Sequence, residues 1–383
     1  MSELDLGLKV AARRLLWRMG YTTRIDVQLR SVGGVAIANT SNSRRSAAAE
    51  SFTDLDVLGL TISGGYRVES AIVDCKTTAK GSTGRMFWVR GVADFFAADA
   101  AYMLRETDVT QAAKQLANRL HITALNSKEL AQVEALHPSE FPLDSEPVAW
   151  LFDRDKTAKV LHAFSDLDGR LRELRDYREF DYWVGEEYRS LTQIVEQLRL
   201  ANKLLSPRNP RHVSLVIDFA WLYTLSLTHA IENIRKAYIS DVDLGLSQYI
   251  LGGPIGFAEK KDLSAMLKHL RQEGAIPQEV YVDPLPTYYP RLLELTARLH
   301  RRPAHLISAM RLLEVGAFST ALKEKISAPT DTGALYDELA AKLAADVVEF
   351  LVTTSDLDSG FTARARSILL GEEFIDPESV KSS

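Results

Sequence analysis

The hydrophobic pattern of this chain changes once, between residues 136 and 147. Before this segment, apolar residues alternate between helical spacing and two-residue spacing. Beyond it they keep almost wholly to helical spacing. The segment itself contains three prolines, which is typical of a linker. We therefore predict an α/β domain over 1–135, a linker over 136–147, a mostly α-helical region over 148–375 and a tail over 376–383.

The first 135 residues predict one sheet with helices packed on it. The patterns follow the order helix, three strands, helix, strand, helix, strand, which is typical of an α/β domain. The second and third strand patterns, at Asp54–Ile62 and Val68–Thr77, are separated by a Ser-Gly-Gly turn. That turn predicts a β-hairpin.

Composition places the chain among ordinary globular proteins. Of its 383 residues, 46% are hydrophobic and 25% are charged, which excludes a disordered or collagen-like chain. The single cysteine, Cys75, excludes an intramolecular disulfide and a cysteine-based zinc site. No secretory signal is evident, and the most apolar stretch, 213–228, is interrupted by Asp218. We expect a cytoplasmic protein without a membrane span.

Charge is distributed unevenly along the chain. The net charge is −5, which argues against a coat of basic residues for nucleic acid. Residues 1–135 carry 17 basic and 14 acidic side chains, whereas the remainder carries 29 and 37. The acidic helical region is therefore expected to select substrate, to self-associate or to dock a partner protein.

A constellation of acids and one lysine lies in the predicted hairpin. Asp54 and Asp56 belong to its first strand, and Asp74-Cys75-Lys76 ends its second. Side chains alternate along a strand, so Asp74 and Lys76 share a face and Cys75 points to the other. Two carboxylates at a strand end can hold Mg²⁺, and a neighbouring lysine can orient a water or offset phosphate charge.

The same acids have a plainer interpretation as an exposed, solvated strand edge. A D-x-K triplet is common by chance and alone has little weight. The flanks at 57–60 and 71–73 are apolar, however, and acids within buried strands cost several kcal/mol unless they are paired or bound to metal. The functional interpretation is therefore favoured.

Residues 5–130 resemble the PD-(D/E)XK nuclease superfamily, in its Mrr-like and Holliday-junction-resolvase-like branches. The resemblance implies a restriction-endonuclease-like fold with a central mixed sheet flanked by helices. Asp56 resembles the first metal-binding acid of that family, and Asp74 and Lys76 resemble its D/E-x-K pair. The backbone carbonyl of Cys75 is then a further ligand, and Asp54 is a candidate to join it. The implied reaction is Mg²⁺-dependent endonucleolytic cleavage of DNA, with Mn²⁺ able to substitute, in prokaryotic defence against foreign DNA.

One departure from the family keeps two alternatives open. Many relatives carry a glutamate on the first helix, where this chain has Lys9. This favours a catalytically silent nuclease-like scaffold that binds DNA or protein within a larger complex. The other alternative is a structure-specific repair or recombination nuclease, which would prefer branched DNA to linear duplex.

Four basic residues near the motif are candidates for contacts with DNA. Lys80 and Arg85 flank a turn that leads into a helix, where backbone N–H groups can hold a phosphate. An ordinary capped turn explains that segment equally well. Arg44 and Arg45 lie in a long loop and are further candidates, although a solvated loop explains them better.

Overall fold

The computed structural model describes residues 3–30, 51–64, 66–77, 82–137, 148–278, 283–323 and 327–373. The predicted α/β region and the predicted helical region are both present. Most of the predicted linker and the whole predicted tail lie outside the described residues. Five strands form one sheet: β1 (Thr22–Arg30), β2 (Ser51–Ile62), β3 (Val68–Lys76), β4 (Ala100–Arg105) and β5 (Ile122–Asn126).

The sheet is mixed and its strands lie in chain order. Strands β1, β2 and β3 are antiparallel, and β3, β4 and β5 are parallel. The predicted hairpin is confirmed, with Val57 paired to Val73 and Ile62 to Val68 across β2 and β3. Asp56 and Asp74 are the next residues beyond the Val57–Val73 pair. The central mixed sheet predicted for this region is therefore present.

Sixteen α-helices accompany the sheet in the described part of the chain. Four belong to the sheet domain: α1 (Glu3–Arg18), α2 (Ser82–Phe96), α3 (Gln111–Arg119) and α4 (Ser127–Ala135). The others are α5 (Arg154–Ser165), α6 (Arg172–Asp176), α7 (Tyr182–Val184), α8 (Ser190–Ala201), α9 (Pro210–Ala237), α10 (Val242–Ile250), α11 (Gly253–Gln272), α12 (Tyr289–His300), α13 (Leu306–Ala321), α14 (Ala328–Asp331), α15 (Glu338–Thr354) and α16 (Gly360–Leu370).

Helix α1 covers one face of the sheet. Its apolar stripe, which includes Leu8, Ala12 and Leu15, packs against Val73 and Cys75 in a buried cluster. Gly59 permits this close approach, because a Cβ atom there would come within 2.9 Å of the Leu16 side chain. The other face packs against α2 and the helical region in a second, larger cluster.

The helical region is built around α9. This helix is long and apolar enough, by length and composition alone, to cross a membrane, but 94% of its apolar window is buried inside the protein. The predicted buried helix over 213–228 is therefore confirmed. Burial against protein accounts for its apolar character.

Buried polar contacts join the helical region to β1 and α1. The Arg13 guanidinium lies 2.7 Å from Glu314 of α13, which also accepts hydrogen bonds from the hydroxyls of Thr22 and Thr23. The Trp221 indole N–H donates to the Thr22 hydroxyl at 2.9 Å. Such buried contacts fix β1 in one position, because an unpartnered polar group there would be costly.

Candidate functional site

The acids singled out by the sequence lie at the open end of the β2–β3 hairpin. Asp56 and Asp74 are both buried, and Val57, Val73 and Cys75 beside them are buried apolar neighbours. A buried carboxylate needs hydrogen bonds or a counter-charge to remain ionised. The hydrogen-bond and ion-pair partners of each acid therefore show how its negative charge is compensated.

Asp56 is bound by one backbone group and one lysine. Its Oδ2 atom accepts a hydrogen bond from the Cys75 N–H at 2.7 Å. Its Oδ1 atom lies 2.8 Å from the Lys9 ammonium. The first contact joins β2 to β3 at the point where their register ends, and the second joins both strands to α1.

Lys9 is the central cation of the site. Only 3% of this residue is exposed, and its Nζ atom lies 2.6 Å from Asp26 and 3.8 Å from Asp5 as well as against Asp56. Burial alone would lower the pKa of Lys9. The attraction of Asp56 and hydrogen bonds to Asp26 and Asp56 outweigh burial, so its pKa is raised above the ordinary lysine value. Lys9 is therefore a charged counter-ion.

Asp26 enters the site from β1. The neighbouring pairs are Ile25 with Val57 and Val27 with Leu55, so Asp26 lies opposite Asp56. Its φ of +58° is in the left-handed region, which aspartate tolerates better than most residues. Burial raises the pKa of Asp26, although the hydrogen bond from Lys9 opposes that rise.

Asp26, Asp54 and Asp56 form a group of carboxylates that lie close enough together to hold a metal ion. One oxygen from each lies within 4.8 Å of the other two. Mg²⁺–oxygen distances are about 2.1 Å and Ca²⁺–oxygen distances about 2.3–2.6 Å, so ligand oxygens on opposite sides of either ion lie about 4–5 Å apart. Asp54 is exposed whereas Asp56 is buried, which gives the group one side open to solvent. Three hard oxygen donors fit a hard divalent cation.

Asp74 has a different partner. Both of its oxygens lie 3.1 Å from Arg85 Nε, and Oδ1 lies 2.5 Å from Arg85 Nη2. The Arg85 guanidinium also stacks over the Trp88 ring at 3.3 Å. Lys76 Nζ is 3.8 Å from Asp74 Oδ1, and the Lys76 side chain is 38% exposed. Asp74, Lys76 and Arg85 thus form a second charged group, and Asp74 does not belong to the group of three acids.

The remaining sequence predictions have mixed outcomes. The Cys75 side chain is buried in the cluster under α1, on the predicted face, and burial raises the pKa of its thiol. The proposed role of its carbonyl stays a prediction. Lys80, Arg44 and Arg45 lie outside the described residues.

Sequence reasoning missed two residues of the site, Lys9 and Asp26. Asp26 lies between the apolar residues Ile25 and Val27, and this alternation predicts an ordinary solvent-facing strand residue. Lys9 stands where the resembling family carries an acid, and it was noted only as a departure. The signal that joins them is the β1–β2 register, which puts Asp26 opposite Asp56.

Two exposed phenylalanines lie on β2 and α2, the elements that also carry Asp54, Asp56 and Arg85. Phe52 of β2 is 54% exposed and Phe95 of α2 is 60% exposed. Their rings meet edge to face, with centroids 5.9 Å apart. The β1–β2 register shifts between Leu29 and Arg30, which leaves Phe52 as an extra, bulged residue. Bulges of this kind redirect side chains and are common next to active sites.

Comparison with known proteins adds no family to this geometry. No family model matches the chain, and neither the curated proteins nor the solved structures contain a match. The site's own chemistry is therefore the basis for a function. It comprises oxygen donors suited to a divalent cation, a solvent-facing lysine and an arginine beside an acid.

Proposed function

We propose that the chain is a Mg²⁺-dependent endonuclease that hydrolyses phosphodiester bonds in DNA. The observation that carries the proposal is the group formed by Asp26, Asp54 and Asp56, one side of which is open to solvent. Its support is the position of this group at the end of a mixed sheet, beside Asp74 and Lys76 on the adjoining strand. The resemblance to PD-(D/E)XK nucleases noted in the sequence agrees with this arrangement.

Each residue of the site then has a distinct task. A bound Mg²⁺ supplies Lewis-acid polarisation of the phosphate and a more acidic water. Asp54 and Asp56 offer the open and buried oxygens that would hold it, and Asp26 completes the set. Lys9 offsets the negative charge of Asp26 and Asp56, because its charged ammonium contacts both.

Lys76 and Arg85 are assigned to the substrate. The Lys76 ammonium reaches solvent close to Asp74, so it can orient a water and offset the negative charge that develops on the phosphate. Arg85 holds Asp74 through two nitrogens and is itself fixed by Trp88. We assign Asp74 as a ligand that would join from the second strand, as the resemblance implies, and Arg85 as a residue that would contact a DNA phosphate.

The alternative of a silent scaffold has one observation in its favour. Two of the predicted ligands already have a basic partner, Lys9 for Asp56 and Arg85 for Asp74. A site that has lost its catalytic activity would retain such ion pairs and would bind metal poorly. The alternative predicts DNA or protein binding that does not depend on a divalent cation.

Cleavage assays separate these functions. Supercoiled plasmid, linear duplex, single-stranded and branched DNA are incubated with Mg²⁺ or Mn²⁺. We expect cleavage by the wild type and its loss in Asp56→Asn and Lys76→Met. The matched control is Asp94→Asn, whose carboxylate pairs with Arg90 on the exposed surface of α2 and which should cut normally. Equal cutting by Asp56→Asn would contradict the proposal, and preference for branched DNA would favour the repair nuclease.

A further inference from the structure

Exposed phenylalanine is confined to one part of the described chain. The phenylalanines with more than half of their surface exposed are Phe52, Phe87 and Phe95, and all three lie on β2 or α2. Exposed apolar side chains that cluster mark candidate sites for a ligand or partner, whereas single ones are common on protein surfaces. Only Phe52 and Phe95, among these three, contact one another.

The two rings lie on elements that also carry or contact residues of the site. Phe52 is four residues before Asp56 on β2, no more than about 13 Å by strand rise, and the bulge at Phe52 interrupts the regular alternation between them. Along α2, Arg85 and Phe95 are ten residues apart, or about 15 Å by helical rise. Phe95 contacts Phe52 of β2, and Arg85 contacts Asp74 of β3, so α2 touches both the aromatic pair and the charged group at the end of β3.

We propose that Phe52 and Phe95 form a stacking surface for unpaired bases of the nucleic acid that enters the site. This inference rests on the proposed nuclease function and names its substrate class, a strand with unpaired nucleotides. Bases stack on exposed aromatic rings without regard to sequence, and each such contact contributes roughly 1–3 kcal/mol. The edge-to-face contact holds the two rings in fixed relative positions before the ligand arrives.

The spacing suits a continuous strand. Stacked nucleotides advance by about 3.4 Å each, so a base on Phe52 lies about four stacked nucleotides, or fewer in an extended strand, from a phosphate at Asp56. Lys76 and Arg85 lie near the acid end and supply positive charge for the backbone there. A protein partner would not require that the elements bearing the two rings also bear Asp56 and Arg85, which is why nucleic acid is the favoured occupant.

Oligonucleotide binding tests the inference directly. Fluorescence anisotropy measures the affinity of a labelled single strand and of the matching blunt duplex in Ca²⁺ or EDTA. We expect Phe52→Ala and Phe95→Ala each to weaken single-strand binding by about 5- to 150-fold, the range that corresponds to loss of one stacked base. Duplex affinity should change less than twofold. Phe52→Trp should retain single-strand affinity, because indole also stacks.

Phe87→Ala is the matched control. Phe87 is also on α2 and is 57% exposed, but no ring contact joins it to Phe52, so its removal should leave single-strand binding unchanged. Melting temperatures of all three alanine variants should stay near that of the wild type, because the side chains are exposed. Equal losses at Phe87, or no loss at Phe52 and Phe95, would overturn the inference.

The outcomes also distinguish this inference from the proposed function. If Phe52→Ala and Phe95→Ala do not affect metal-dependent cleavage or single-strand binding, the nuclease proposal stands and the stacking surface is refuted. If single-strand binding requires both rings but the protein cleaves no DNA, the stacking surface stands and the nuclease proposal is refuted. If both alanine variants bind every DNA normally but lose self-association, the patch is a protein interface and the inference is wrong.

Discussion

Replacement of Lys9 by methionine isolates the electrostatics of the acid group. Methionine fills nearly the same volume but removes the ammonium that lies 2.6 Å from Asp26 and 2.8 Å from Asp56. Removal of one partner from a buried ion pair costs about 3–5 kcal/mol, because the remaining charge has lost its compensation. Asp26 retains some solvent contact, so we expect a loss near the lower end, about 3 kcal/mol.

A divalent cation should recover part of this loss. In Lys9→Met the three carboxylates face one another without the Lys9 ammonium. Mg²⁺ would therefore neutralise more uncompensated negative charge in the variant than in the wild type. A ligand at ten times its Kd stabilises the folded state by about 1.4 kcal/mol. The variant should therefore gain at least this much from Mg²⁺, and the wild type should gain less.

Thermal melting followed by circular dichroism measures both effects. A loss of 3 kcal/mol lowers the melting temperature by roughly 6 °C in EDTA, on a scale of about 2 °C per kcal/mol for a large domain. The control is Lys236→Met, whose ion pair to Glu232 is also 2.6 Å long but lies on the exposed surface. Such surface pairs contribute about 0–1 kcal/mol. Asp26→Asn added to Lys9→Met should restore part of the stability.

Two results would refute this reasoning. If Lys9→Met melts at the same temperature as Lys236→Met, the Lys9 contacts do not compensate buried charge. If Mg²⁺ raises both melting temperatures equally, the cation does not bind at the acids that Lys9 serves.

Three further variants test the surroundings of the site. Cys75→Ser should lower the unfolding free energy by about 1–3 kcal/mol, because a hydroxyl replaces a buried thiol without a new partner. Activity per folded molecule should be unchanged. An inactive protein of normal stability would show that the Cys75 side chain faces the site instead of the core. Glu314→Gln should cost about 3 kcal/mol by leaving Arg13 unpaired, and calorimetry should show one lowered transition. If only the helical region melts early, Glu314 does not join the two parts. Burial opposes ionisation of Asp218, but the charges of Arg178 and Arg24 outweigh burial and lower its pKa. The ionised Asp218 therefore stabilises the fold above the ordinary carboxyl pKa of about 3.9, and this stabilisation is lost as the pH falls below that value. The melting temperature of Asp218→Asn should therefore fall less steeply in acid than that of the wild type.

The hairpin and its acids were predictable from the sequence because a short turn fixes their register. Ser63 and Gly64 leave little freedom, so Val57 meets Val73 and the acids follow as neighbours. Strands β1 and β2 are joined by a long segment instead. No local pattern fixes their register, so the sequence alone could not predict that Asp26 lies opposite Asp56.

The helices also show which features local sequence determines and which depend on distant contacts. Pro210, Pro254 and Pro290 lie in the first turns of α9, α11 and α12, where a proline has no hydrogen bond to lose. Helix α4 was not predicted, although Asn126 and Glu129 form a capping box at its start. The counter-ion role of Lys9 depends on how α1 packs on the sheet, which no local signal encodes.

Metal withdrawal and return tests the central claim most directly. The wild type and Asp56→Asn are stripped with EDTA, mixed with an end-labelled single-stranded oligonucleotide and then given Mg²⁺ in excess. We predict no cleavage in EDTA, cleavage by the wild type on addition of Mg²⁺, and none by Asp56→Asn. Cleavage that continues in EDTA, or that returns equally in Asp56→Asn, would contradict phosphodiester hydrolysis at this acid group.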